Sequence, residues 1–207
     1  PMFNLLNGST DYSKIDFQSM DNILSYLKKE GPVEPNVTAG LSNTFKYKNW
    51  ELSCLITVAA GNKIRKPDQY SVAYNDLSVF PKEMRNRWIN PGDEKITNIP
   101  AIADLRAVNE IGLATLLRAY SAYNYSTQRV VDGSFVRMKN ISLSYTFARD
   151  VLEALHVNNL TLRLQATNPF LIYADKNLNG QDPEFFRTGG VAYPVSAQYT
   201  FTINLGI

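Results

Sequence analysis

Near the C-terminal end, "YADKNLNGQDPEFF" (173–186) places Asp175, Asn177, Asn179 and Gly180 at the spacing that opens a calcium-binding loop. Such a loop takes oxygen ligands from positions 1, 3, 5, 7 and 9, with glycine at 6 and a bidentate glutamate at 12. Counted from Asp175, positions 1, 3, 5 and 6 match, but position 9 is Pro183 and position 12 is Phe186, which has no oxygen to give. No helical pattern leads in, because "NNLTLRLQATNPF" alternates with period two. Calcium through Asp175, Asn179 and Asp182 thus competes with a simple chain reversal, which Asn-Gly and Asp-Pro both favour. The turn is the expectation, and no metal is assigned.

Other chemistry is sparse. The single histidine, His156, lies in the turn-like "EALHVNN" and is expected to be exposed and idle. That leaves no His-rich metal centre and no Ser-His-Asp or Cys-His arrangement that avoids it. The carboxylate pairs Asp93 with Glu94 and Asp182 with Glu184 sit in loop-like stretches without a base, nucleophile or metal set beside them, so no catalytic residue, no cofactor and no enzyme activity are expected. Lone Cys54 cannot form an internal disulfide. A net charge of +2 with no basic run interleaved with aromatics argues against a nucleic-acid surface. Hydrophobic content of 44% argues against disorder.

The elements that must position these residues are strands. Period-two alternation runs through "VTAGLSNTFKYK" (37–48), "WELSCLITVAA" (50–60), "NISLSYTF" (140–147), "LTLRLQAT" (160–167) and "SAQYTFTINLGI" (196–207). One face of each is apolar, for example Ile141, Leu143, Tyr145 and Phe147. The other is almost uniformly Ser, Thr, Asn and Gln, as in Asn140, Ser142, Ser144 and Thr146. Strands of about ten residues exceed the usual five or six and match the nine to eleven that cross a bilayer at a tilt. No run of about 20 apolar residues exists for a membrane helix. Connections alternate short and long, as in an outer-membrane barrel with short periplasmic turns and long outer loops. Tyr47, Trp50 and Phe147 would form an interfacial girdle at the short-turn end. Three stretches read as helical pieces of loops: 17–31, 80–88 and 110–124, the last also open to a strand extension.

Several motifs then resemble one family. "VVDGSFVRMKNISLSYTF" (130–147) is similar to the late-barrel motif of SusC/RagA-type TonB-dependent outer-membrane transporters. In the same order, "EGPVEPNVTAGLSNTFKYKNWELSCLITVAAGNKIR" (30–65), "FPKEMRNRWINPGDEKITNIPA" (80–101), "LRLQATNPFLIYADKNLNGQDPEF" (162–185) and "YPVSAQYTFTINLGI" (193–207) resemble its hairpin, its Trp-containing loop, its Gly-x-Asp-Pro-Glu loop and its closing strand.

The resemblance implies an all-β fold, an antiparallel transmembrane β-barrel fragment supplying the last five or so of about 22 strands around a plug, with about 17 strands upstream. It implies residues 1–36 as the outer loop of a preceding hairpin and 37–207 as C-terminal barrel strands, with long extracellular loops at about 61–133 and 169–195. The chain begins "PMFNLLNGS" and reads as starting mid-protein. The implied partners are the rest of its own barrel and plug, a SusD-type surface lipoprotein acting as a lid, the TonB complex, and a glycan, oligosaccharide or peptide cargo. The implied location is the outer membrane of a Gram-negative bacterium, crossed many times. The closing Ile207 stands where such barrels usually have an aromatic residue. A soluble all-β carbohydrate-binding module is the alternative. In either reading Tyr70, Trp88 and Tyr173, taken as exposed loop aromatics, are the candidates for contact with cargo.

Overall fold

The alternating segments become one antiparallel sheet in a computed structural model that describes residues 27–68, 70–74, 77, 79–185 and 196–207. Val37–Tyr47 (β1) and Trp50–Ala60 (β2) form a hairpin closed at Lys48, where φ is 51°. Lys63–Arg65 (β3) pairs with Val130–Asp132 (β4) in a short second sheet. Phe135–Thr146 (β5), Asn159–Ala174 (β6) and Gln198–Gly206 (β7) complete the main sheet in the order β1-β2-β5-β6-β7. Two compact units result. The described residues of 32–64 and 132–207 hold this sheet, and those of 27–31 and 65–131 make the other unit.

The sheet is inside out by the standard of a soluble protein. Its register sets Phe45, Leu52, Leu143, Leu164 and Phe201 side by side across all five strands, and next to them Tyr47, Trp50, Tyr145, Leu162 and Ile203. Much of this apolar face is open: Phe45 and Phe201 are each 58% exposed, and Leu143 39%. The opposite face carries the row Thr44, Ser53, Ser142, Gln165 and Thr200, and there Ser142 and Ser144 are buried. Buried hydroxyls need partners. Ser142 shares a hydrogen bond of 2.8 Å with Ser53, and Ser144 donates to the Glu51 carbonyl at 3.5 Å; at the exposed end Thr146 and Thr161 share one of 3.2 Å. At the short-turn end Trp50 packs on Tyr145 with ring centroids 4.7 Å apart, and Tyr145 meets Phe147 edge-on at 5.0 Å. Trp50 and Phe147 are two of the three aromatics expected to form a girdle; the third, Tyr47, pairs with Trp50 across the hairpin.

Bulges keep the apolar face in phase over a greater length than the alternation alone suggests. Opposite β2, the register of β5 shifts between Leu55 and Ile56, which places Met138 rather than Lys139 beside Ile56. Opposite β5, β6 carries an extra residue between Thr167 and Phe170, and another between Leu171 and Tyr173. Each bulge reverses the parity of the strand beyond it. The rows Leu41, Ile56, Met138, Phe170 and Ala39, Val58, Val136, Tyr173 therefore continue the apolar face. The fourth strand, expected to end near Thr167, runs on to Ala174. Asn168-Pro169 is accommodated at the bulge, with Asn168 at φ 50° and the proline where a missing N–H is tolerated. The last long loop accordingly begins after Ala174, not at residue 169.

The turn between β5 and β6 holds a helix, Arg149–Leu155, designated α3 after two earlier helices among the described residues. His156 ends that helix at φ 55° and is exposed, as expected. In the other unit Leu105–Ile111 (α1) and Leu113–Asn124 (α2) are separated by Gly112 at φ 90°. So 110–124 is helix rather than strand extension, and the fold is mainly but not wholly β. The expected helix at 80–88 is a 3-10 turn over Lys82–Asn86. Of the expected helix at 17–31, residues 17–26 lie outside the described residues and 27–31 form no helix. This unit has its own core: Tyr70, Met84, Leu116, Tyr120 and Tyr123, with Ile99 and Val108 packed against it.

Candidate functional site

Two of the motifs that suggested the family prove to be halves of one contact. Arg137, from "RMKN", is buried and donates from Nη2 to both carboxylate oxygens of Asp182 at 2.5 Å. Its Nε lies 3.1 Å from Glu184, and Lys139 lies 3.4 Å from the same carboxylate. The segment "GQDPEF" is thereby clamped to β5 by a four-residue ion cluster. Asp182 also accepts the Glu184 N–H at 3.1 Å, which tightens the Asp-Pro turn. Neither carboxylate is a free acid or base, so the pair Asp182 with Glu184 is structural.

"GNK" and "DGS" interlock in the same way. The Gly133 N–H donates to the Asn62 carbonyl at 2.9 Å, the Gly61 N–H to Ser134 Oγ at 3.1 Å, and Ser134 to Asp132 at 3.0 Å. Lys63 reaches Asp132 at 3.5 Å. A Cβ on Gly133 would collide with the buried Asn62 amide and come within 2.9 Å of Ile64, which accounts for glycine here. Asp175 joins this contact through Oδ2, which accepts the Asp132 N–H at 3.0 Å, while Oδ1 accepts the Asn177 N–H at 2.9 Å. Asn179 ends the following 3-10 turn at φ 55°. Asp175, Asn179 and Asp182 are thus engaged in three different tasks. Among the described residues no group of three or more His, Cys, Asp or Glu is arranged to hold a metal ion.

In the other unit, Glu83 is the hub of a buried charge network. Lys66 contacts one oxygen at 2.5 Å, and Arg129, only 1% exposed, pairs with the other. Burial by itself pushes the Glu83 carboxyl upward, but the hydrogen bonds from Lys66 and Arg129 outweigh it and hold the group below its ordinary value. Tyr70 donates its hydroxyl to Glu83 at 3.0 Å, lies edge-on to Tyr123 with centroids 4.7 Å apart, and has the Arg129 guanidinium over its ring at 4.9 Å. Burial, then the neighbouring Tyr123 and Glu83, drive its phenol far above the ordinary value, so it stays a proton donor.

The three aromatic candidates therefore part company. Tyr70 is 4% exposed, and its face and hydroxyl are both occupied, so it is not a cargo contact; its role is in the core. Tyr173 is 53% exposed but stands in β6, in register with Val136 on the apolar face, rather than in a loop. The neighbouring Phe170 likewise lies in the strand and is exposed. Trp88 alone remains at a cavity. Its indole N–H donates to Glu94 at 3.1 Å, and Glu94 also accepts the Gly92 N–H at 2.8 Å. Asp93 accepts the N–H groups of Asn90 and Ile89. The Asn90 and Ile89 N–H groups hold the Asp93 carboxyl below its ordinary value, and the backbone N–H of Glu94 itself, the Trp88 indole and the Gly92 N–H do the same for Glu94, so both shape a turn. The cavity, about 490 Å³, is walled by Trp88, Ile89, Pro100, Ile102 and Tyr120 among others, with Arg87 and Asp104 also on its lining. Sequence reading pointed to Trp88 but not to Ile102 or Tyr120, which reach the cavity only through the folding of α1 and α2.

Comparison with known proteins gives a consistent picture. No family model matches the chain. It is 29% identical over 159 residues to TonB-dependent receptor P39 of Formosa agariphila, and 27% identical over 161 residues to TonB-dependent receptor P26 of the same organism. These alignments cover 75% and 76% of this chain but 14% of each relative, so the chain spans about a seventh of their length. Among solved structures, the RagAB peptide importer in its open-open state aligns with a TM-score of 0.59 at 23% identity, over 87% of this chain and 18% of that one. A second structure, of the RagAB peptide transporter, aligns with a TM-score of 0.61 at 22% identity, over 91% and 19%. The likeness to TonB-dependent transporters of SusC/RagA type that the motifs suggested is thus found in curated relatives, and the solved importers share the fold. These relatives are named as receptors and transporters, not enzymes.

Proposed function

We propose that the chain forms closing strands of a TonB-dependent outer-membrane importer of about 22 strands that spans the membrane repeatedly. In this reading it takes up glycans, oligosaccharides or peptides beneath a SusD-type surface lipoprotein, with TonB acting through a plug domain. The observation that supports it best is the polarity of the sheet: an exposed apolar face across five strands, and an opposite hydroxyl face on whose central strand Ser142 and Ser144 are buried. A soluble carbohydrate-binding module would present the opposite, because burial of apolar surface drives its folding. Among the described residues β1 and β7 each pair on one side, and a membrane tolerates such edges only when further strands pair with them.

Uptake in cells provides the test. A strain relying on the full-length protein should accumulate its labelled cargo, glycan or peptide, and stop when a protonophore collapses the inner-membrane gradient. Accumulation unaffected by the protonophore would contradict TonB-driven import.

A further inference from the structure

The ion cluster at Arg137 fixes where the chain goes after β6. Arg137 stands between Val136 and Met138, which both belong to the apolar face, so its side chain leaves the sheet on the opposite, hydroxyl-bearing side. It also stands inside the strand, two residues or about 7 Å along β5 from Phe135, which pairs with the end of β6 at Ala174. Lys139, unpaired at the bulge, lies farther in and meets Glu184 on the same side. The chain leaving β6 therefore does not continue outward. It turns back, and Asp182 and Glu184 come to rest against the hydroxyl side of the sheet.

The returning segment is a run of tight turns. The N–H groups of Leu178, Asn179 and Gln181 donate to the carbonyls of Asp175, Lys176 and Leu178 at 3.0–3.1 Å. Asp175 ties one end to the Asp132 N–H, and Asp182 ties the other to Arg137. Leu178 is 1% exposed and Pro183 is buried, whereas Lys176, Asn177, Asn179, Gly180 and Gln181 are exposed. One side of the segment is packed, and the other is an open strip rich in amides.

We propose that residues 175–185 form a fixed ledge inside the barrel lumen, rather than a loop projecting from its outer mouth, and that Asn177 and Gln181 face the passage. The inference rests on the barrel reading, in which the hydroxyl side of the sheet is the lumen wall. A ledge there narrows the passage at a set position. Its side-chain amides, each carrying donors and an acceptor, offer hydrogen bonds to polar groups that pass.

The test uses full-length protein with Cys54→Ser in nanodiscs, without a partner lipoprotein, and a single cysteine from Asn177→Cys or Gln181→Cys. Biotin-maleimide, small enough to enter the lumen, should label both positions. Streptavidin, too wide to follow, should fail to capture the folded protein and should capture it after heat denaturation. Glu153→Cys, on the exposed turn helix, should be captured in both states. Adding Arg137→Ala should speed capture through position 177 about tenfold or more, because the released segment opens. If that variant does not assemble, the folded and denatured states of the clamped protein decide alone. Capture of the folded, clamped protein as fast as that of Glu153→Cys, no labelling by biotin-maleimide, or no gain from an assembled Arg137→Ala would overturn the proposal. Lipid exposure of Leu143 and its neighbours is measured separately by bromolipid quenching, so free capture with that exposure intact sinks the ledge and not the barrel.

Discussion

Leu143→Arg in the full-length protein is expected to destabilise the assembled barrel by about 2–4 kcal/mol, the cost of a basic side chain near the bilayer midplane on a lipid-facing strand position. Leu143 stands at the centre of the row Phe45, Leu52, Leu143, Leu164 and Phe201 and is 39% exposed. On a soluble sandwich, arginine at a half-exposed surface leucine would change stability by no more than about 0.5 kcal/mol. The two accounts therefore differ by several-fold in the effect of one substitution. Denaturant titration of the barrel in lipid vesicles, together with the amount of folded protein reaching the outer membrane, reads it out. Leu155→Arg is the control: Leu155 is exposed apolar surface too, but it lies on the turn helix α3 and not on the sheet face, so it should behave nearly as wild type.

The second large effect concerns the clamp. Arg137→Ala removes the partner of Asp182 and leaves a buried carboxylate uncompensated, which costs about 3–5 kcal/mol. The loss should appear first as local opening, with faster hydrogen exchange and protease cleavage over residues 175–185, because this segment is tied to β5 through that pair. Replacing both partners with apolar residues, Arg137→Met with Asp182→Leu, should recover most of the loss, since a buried ion pair and a well-packed apolar pair are often nearly equivalent. If Arg137→Ala leaves exchange over 175–185 unchanged, the clamp has been misassigned.

These two sites mark what could and could not be read in advance. Alternation in 37–60, 140–147, 160–167 and 196–207 was enough to find every strand of the main sheet and to sort its faces, because a side-chain period of two is local information. It stopped short at Thr167, because the alternation breaks at Asn168-Pro169 while the strand runs on to Ala174 through a bulge. It also could not see that Tyr70 would be buried, because Glu83, Tyr123 and Arg129, which enclose it, lie 13 to 59 positions away. Helix α1 escaped for a related reason. Its start is set by Asp104 accepting the Ala107 N–H, a single capping contact in an otherwise loop-like stretch. The family motifs were legible as text, yet their meaning was not. Arg137 meets Asp182 across 45 positions, and Gly133 meets Asn62 across the whole intervening unit.

The central claim is that the apolar face of the sheet lies in lipid. Single cysteines along β5, in full-length protein with Cys54→Ser, can be labelled with bimane and reconstituted in vesicles whose acyl chains carry bromine. Positions 141, 143 and 145 should be quenched and positions 142 and 144 should not, the period-two pattern set by Ile141, Leu143 and Tyr145 against Ser142 and Ser144. Uniformly absent quenching, or quenching at the serine positions instead, would contradict it.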